Sequence, residues 1–246
     1  MIHNLAVIYP SAKIGNNVSI GPFSIIYDNV EIGDNCNIGS HCELGVKSMN
    51  DVESPLIISK NSNIRSGSVF YEGSKFGENL TTGHKITVRE RVTAGNNLQL
   101  GSYTDIQGNN QFGNFVKMHS NVHIGQGCVI ENYVWLFPYA LIVNDPHPPS
   151  NIELYSTIRK YTVVGARVIL MPGTILGEDV LVAAGSIVSG SVENGVLVAG
   201  SPAKRVCRTS QIPLRDGSKR AAYPWRRHFH RGYPEQVVLE WMDEFK

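Results

Sequence analysis

Three of the eight histidines in this 246-residue chain stand where a proton could be moved. Histidine titrates near neutrality, so its neutral ring can take a proton from an attacking nucleophile. His84 lies in Gly83-His84-Lys85, where a turn residue would otherwise stand. His119 lies in Met118-His119-Ser120-Asn121, and His147 sits between prolines in Asn144-Asp145-Pro146-His147-Pro148. Glu90 and Asp145 are carboxylates that could accept the same proton. Arg89 and Arg91 suit a phosphate, Gln107 and Asn109 a hydrogen-bonding ligand, and Tyr139 and Trp135 a flat ring. The competing reading is a solvent-facing turn residue for His84, and a contact between subunits for Trp135 and His123.

What must position these side chains is a repeat. From Ile58 an apolar residue returns every six positions, through Ile64, Phe70, Leu100, Ile106, Ile124 and Leu136 to Ile142, with Thr82 and Ala94 as the small members. A second small or β-branched residue follows four positions later, as at Ser68, Val92, Val116 and Cys128. Six matches neither a helical period nor irregular hairpins. It matches a two-residue strand, a tight corner and another strand, so three units close a triangular coil and stacked coils pair as parallel strands ~4.8 Å apart. The expected fold is an all-β parallel β-helix. An earlier run begins at Ile8 and a later one at Val164, and together 27 units make about nine coils. Residues 46–56 and 146–163 interrupt the register at one and the same edge, and two long excursions from one edge mark a used surface.

Residues 18 apart stack, so each edge reads as a ladder. One carries His84-Lys85, Tyr103, His119 and Tyr139, with His84 and His119 two coils, ~10 Å, apart. The loop-bearing edge carries Arg89-Glu90-Arg91, Gln107-Gly108-Asn109 and Asn144-Asp145. The third holds plain turn residues such as Gly95-Asn96-Asn97. Residues 1–204 form the repeat domain, and 205–246 a basic, aromatic tail. Its expected helix begins after Pro234, with Val238, Trp241, Met242 and Phe245 on the face that caps the core.

Bulk properties exclude several classes. A net charge of +1 gives no global attraction to nucleic acid or to an anionic membrane. No apolar run reaches the ~18 residues of a membrane helix, and Met1-Ile2-His3-Asn4-Leu5 does not open like a signal peptide, so the expected location is cytoplasmic. Cys36, Cys42 and Cys128 take inward positions, Cys207 lies outside the repeat, and no spacing indicates a zinc site or a disulfide framework.

The pattern of Ile, Leu or Val, then Gly, two free positions and a small residue resembles the hexapeptide-repeat acyltransferases, over about three quarters of the chain. The resemblance implies a left-handed helix and a homotrimer with active sites between subunits. It also implies an acyl-CoA cosubstrate, acetyl-CoA being the expected donor. Pantetheine would lie along Ala184, Gly185 and Ser186, with Lys204 and Arg205 near a phosphate; Lys204 ends Gly200-Ser201-Pro202-Ala203-Lys204, which resembles the family's closing segment, and Arg205 follows it. Thr82-Gly83-His84, Asp105-Ile106-Gln107-Gly108 and the Asn144-Asp145 stretch are similar to enzymes that N-acylate nucleotide-linked amino sugars. That branch implies a role in surface polysaccharide synthesis. One alternative is O-acetylation of a sugar, as by galactoside and maltose acetyltransferases, for which His147 would be the base. Another is a non-catalytic assembly subunit of the same fold. The gamma carbonic anhydrases share the helix, but Ser120 and Gly125 stand where two of their metal-binding histidines would, so no catalytic metal is expected. An amine acceptor also leaves open whether a protein base is needed.

Overall fold

The computed structural model describes residues 1–49 and 54–246; part of the first interruption, 50–53, lies outside the described residues. The repeat winds into a left-handed parallel β-helix of three sheets. The first runs from Val7–Ile8 to Ile187–Val188 and the second from Lys13–Ile14 to Ser191–Val192. The third runs from Ser19–Ile20 to Val196–Gly200 and ends on an antiparallel strand, Ala203–Arg208. Most strands are two residues long because only the second residue points inward: Phe70 stacks on Val88, Val88 on Ile106, and Ile106 on Ile124, all buried. Each such burial contributes about 1.5–3 kcal/mol. Glycine after the inward residue lets the coils approach, since a side chain at Gly83 would collide with the backbone of Ser102 in the next coil. Inward hydroxyls are satisfied locally, as where Ser68 Oγ donates to the Arg65 carbonyl at 2.7 Å.

There are ten coils, one more than the period of six counts. The additional strands are Thr157–Ile158, Ser191–Val192 and Val196–Gly200. Each pairs in register with its neighbours; Ile158 and Val192 break the spacing of six, and Val198 resumes it from Val192. Thr157–Ile158 therefore shortens the second excursion to 143–156. Both excursions do leave the same edge, between the first and second sheets.

The tail lies against the side of the helix. The edge between the second and third sheets is plain only in its lower coils: above them Phe115, Tyr133 and Tyr161 occupy the left-handed turn position held lower down by Asn61, Asn79 and Asn97. Their rings stack at 5.3 and 5.2 Å. The tail's helix α1 (Glu235–Glu244) seats Trp241, 3% exposed, on Tyr133. Of the four residues assigned to its packing face, Met242 is exposed.

Candidate active site

The first sheet is bounded by the two chemically rich edges, and the predicted residues divide between them. His84, His119 and Tyr139 lie on the edge between the third and first sheets. Arg89, Glu90, Arg91, Gln107, Asn109 and Asp145 lie on the loop-bearing edge. No single coil brings a predicted histidine against the predicted binding set.

What stands between the edges is a pair of groups on the outer face of the first sheet. Asp105 and His123 are stacked partners on adjacent strands, and His123 Nδ1 lies 2.8 Å from Asp105 Oδ2. Gln107 Nε2 donates to the same oxygen at 2.9 Å. The hydrogen bond from His123 holds the Asp105 carboxyl below its usual range, with Gln107 and the nearby Arg89 acting in the same direction. An ionised Asp105 fixes the proton of a neutral His123 on Nδ1, leaving Nε2 as an acceptor on the outer side. Arg89 Nε reaches Glu90 Oε2 at 3.0 Å, and its guanidinium lies over the Tyr71 ring at 5.0 Å. Glu90 is buried at 4% exposure, and a Cβ on Gly108 would stand 3.1 Å from its backbone carbonyl oxygen. Arg89, Glu90 and Gln107 thus gather with Asp105 and His123.

The other predicted residues have different surroundings. His84 is exposed, and its backbone N–H donates to Ser102 Oγ at 3.0 Å. His119 stacks on Phe137 at 4.7 Å, and burial lowers its pKa. With Arg65, Ser102 and Ser120 it lines a polar groove of about 390 Å³ on the third sheet. Tyr139 is exposed with Arg167 over its ring, and Arg91 and Asn109 are exposed turn residues. His147 is exposed on the second excursion. Asp145 accepts from Ser150 Oγ and from the backbone N–H groups of Ser150 and His147, all at 2.7–2.8 Å. Those bonds, the Ser150 hydroxyl first, hold it below the usual carboxylate range and stitch the base of the loop. Farther along, Tyr155 lies so close over Gly127 that any side chain there would collide.

The segment assigned to the cosubstrate lies on the His119 edge, three coils above it. Gly185 has φ +72°, and a Cβ there would meet nothing within 4 Å, so the surface outside is open. Ser186 is buried, donating to the Ala183 carbonyl at 2.7 Å and accepting from Gly200 N–H at 3.2 Å. Ala184 and Lys204 are exposed, and Arg205 pairs with Glu193 at 3.1 Å. Among the described residues no three His, Cys, Asp or Glu side chains converge as a metal site, and no helix is long and apolar enough to cross a membrane.

Residues 11–45 match the bacterial transferase hexapeptide (six repeats) family, and residues 160–189 match the hexapeptide repeat of succinyl-transferase. Over these two segments the chain resembles hexapeptide-repeat transferases. One curated relative is 2,3,4,5-tetrahydropyridine-2,6-dicarboxylate N-acetyltransferase of Staphylococcus aureus. It is 32% identical over 92 residues, which are 37% of this chain and 33% of the relative. The match therefore spans about a third of the curated relatives' length. The structure of LpxA from Acinetobacter baumannii covers 100% of this chain and 83% of its own at 19% identity, with a TM-score of 0.52, a likeness of fold.

The Asp105–His123 pair is what the sequence reading passed over. Its signal was present: the two residues are 18 apart, one full coil, so they must stack.

Proposed function

We propose that this protein transfers an acyl group, with acetyl as the expected one, from a coenzyme A thioester to the amine of a nucleotide-diphosphate-linked amino sugar. On this reading it acts as a homotrimer in the cytoplasm, for surface polysaccharide synthesis. The observation that carries the catalytic part is the 2.8 Å contact of Asp105 with His123, flanked by Arg89, Glu90 and Gln107. The two hexapeptide-repeat matches and the N-acetyltransferase relative support the acyl transfer.

In the proposed reaction the acceptor nitrogen attacks the thioester carbonyl, and the C–S bond breaks as the new C–N bond forms. The nitrogen loses one proton to His123 Nε2. That proton then passes to the departing thiolate, so amide and free thiol leave without net charge change. Asp105 orients the ring and stabilises the imidazolium, as a buried or half-buried carboxylate does behind a catalytic histidine. Arg89 and Gln107 would bind acceptor oxygens, and Ala184–Gly185–Ser186 would hold the pantetheine arm.

The same pair favours a second reading. A hydroxyl, unlike an amine, cannot attack at neutral pH without surrendering its proton, so a carboxylate-backed histidine also suits sugar O-acetylation. The deciding experiment is thiol release over a panel of acyl-CoAs, with amino sugar nucleotides and the corresponding hydroxyl sugars as acceptors. Release only with the amino sugars supports N-acylation; release only with hydroxyl sugars moves the function to O-acetylation. Release with no acceptor in either panel would leave a β-helix without transferase activity.

A further inference from the structure

The tail does more than cover the side of the helix. Trp135, Phe137 and Val163 of the repeat domain, with Tyr223, Trp225 and Phe229 of the tail, line a cavity of about 240 Å³ on the outer face of the third sheet. Trp225 and Phe229 both stand nearly perpendicular to Trp135, at 79° and 82°. Neither indole N–H is available to a ligand: Trp135 donates to Tyr233 Oη at 3.0 Å and Trp225 to the Tyr161 carbonyl at 2.9 Å. The cavity therefore offers ring surfaces and no indole donor, which suits a flat ring entered by stacking.

Two cations touch its walls. The Lys117 ammonium lies 4.8 Å from the Trp135 ring and 4.0 Å from that of Tyr233, and the Arg231 guanidinium 5.8 Å from the Phe229 ring. Neither forms an ion pair with a carboxylate among the described residues. They also lie within each other's field: burial, and then Arg231, lower the Lys117 pKa. Like charges held together beside an apolar cavity are unfavourable unless an anion joins them. The tail that carries Arg231 is itself basic. Residues 204–231 carry nine Lys and Arg against Asp216 alone, and that acid is bonded to Arg220.

We propose that this cavity and the Lys117–Arg231 pair bind a nucleoside diphosphate, the base against the aromatic rings and the phosphates on the cations. An acyl chain would use the cavity and leave the charges unmet. A bare phosphate would meet the charges and leave the cavity empty. A nucleotide satisfies both, because bases stack on aromatic rings with little dependence on sequence and phosphates pair with lysine and arginine. Two sources share that chemistry: the nucleotide end of coenzyme A and the nucleotide of the acceptor. Only this choice of source rests on the proposed acyl transfer.

Trp135 and Trp225 line the cavity and Trp241 does not, so intrinsic fluorescence of the full-length protein reports occupancy. Titration with UDP, dTDP, ADP, coenzyme A, uridine and inorganic pyrophosphate should give saturable quenching by the diphosphate nucleotides or coenzyme A. Added salt should weaken it. Phe229→Ala and Arg231→Gln should each raise the Kd about tenfold or more. Arg231 is exposed, so its variant tests the site even if Phe229→Ala disturbs the tail. Coenzyme A binding tighter than every nucleoside diphosphate assigns the site to the donor, and the reverse order assigns it to the acceptor. No quenching at millimolar ligand, an unchanged Kd in Arg231→Gln, or pyrophosphate binding as tightly as the nucleotides would overturn the proposal. Thiol release separates the two ideas: activity without quenching removes the nucleotide cavity alone, and quenching without activity removes acyl transfer alone.

Discussion

His123 is set apart from the other histidines by its carboxylate partner, not by its exposure. The expected outcome for His123→Asn is a kcat lower by roughly 10²–10⁴-fold with KM little changed, the pattern of a base used only in the transition state. The acid limb of the rate profile should vanish in that variant. Asp105→Asn should lose rate in the same direction, and the double variant little more than His123→Asn alone, because the pair acts as a unit. His84→Asn, His119→Asn and His147→Asn complete the series. A large loss confined to His147 would move the base onto the loop, whereas near-normal rates in all four would leave the acceptor amine shedding its proton unaided. Asp105 also makes a stability prediction. Its folded pKa is depressed, so its contribution is present above the ordinary carboxylate range and lost as pH falls through the folded value. The pair is partly exposed, so Asp105→Asn should cost no more than about 1 kcal/mol at pH 7, and urea melts should show that difference closing as the pH falls below the ordinary carboxylate range. The separation of 18 residues put this pair within reach of the sequence. The reading missed it because an outward strand position was assigned to subunit contact before its vertical neighbour was considered.

The elements divide by how local their causes are. The strands were legible because each inward residue, its glycine and its small partner lie within six positions. Of the three strands that fell outside the count, two follow connections longer or shorter than a corner, and the third follows the second of these in step. The tail's docking was illegible because its partners are distant in the chain: Arg226 reaches Asp179, 47 residues away, and Trp225 reaches Tyr161, 64 away. Arg226 is 4% exposed, bonded to Asp179 at 2.6 Å and to Glu244 at 2.5 Å, and lies 3.9 Å over the Tyr161 ring. It holds Glu244 below its usual range, while burial raises Asp179. Removing the cation would leave Asp179 in poor solvent without its partner, so Arg226→Met should weaken docking by about 3 kcal/mol. Hydrogen exchange should then rise in residues 223–246 while the strands of the solenoid stay protected. Unchanged protection of the tail would show that the Trp241 contacts hold it without the ion pairs.

At the scale of the molecule the ten coils share one core, so a single buried charge should be felt throughout. Ile124 is fully buried in the middle of the first sheet, and Ile124→Asp should prevent soluble expression, since an unpaired buried carboxylate costs several kcal/mol. The arrangement of the two rich edges supports a more specific expectation. They flank the same sheet and face different directions, and the open segment at Gly185, proposed for the donor, lies on the edge opposite the loops. A site using both would take the loop-bearing edge with His123 from one subunit and the Ala184–Gly185–Ser186 edge from the next around a three-fold ring. Two inactive variants should then repair each other. His123→Asn lacks the base, and Ala184→Trp blocks the donor segment with a bulky ring at an exposed position. Dissociated, mixed in equal amounts and reassembled, the two should regain activity at about a quarter of the sites, the fraction in which an intact half meets an intact half. Sedimentation should show trimers for both variants and for the mixture. Trimers without regained activity would place both halves of the site in one subunit, and fully active monomers of the parent protein would remove the shared cleft altogether.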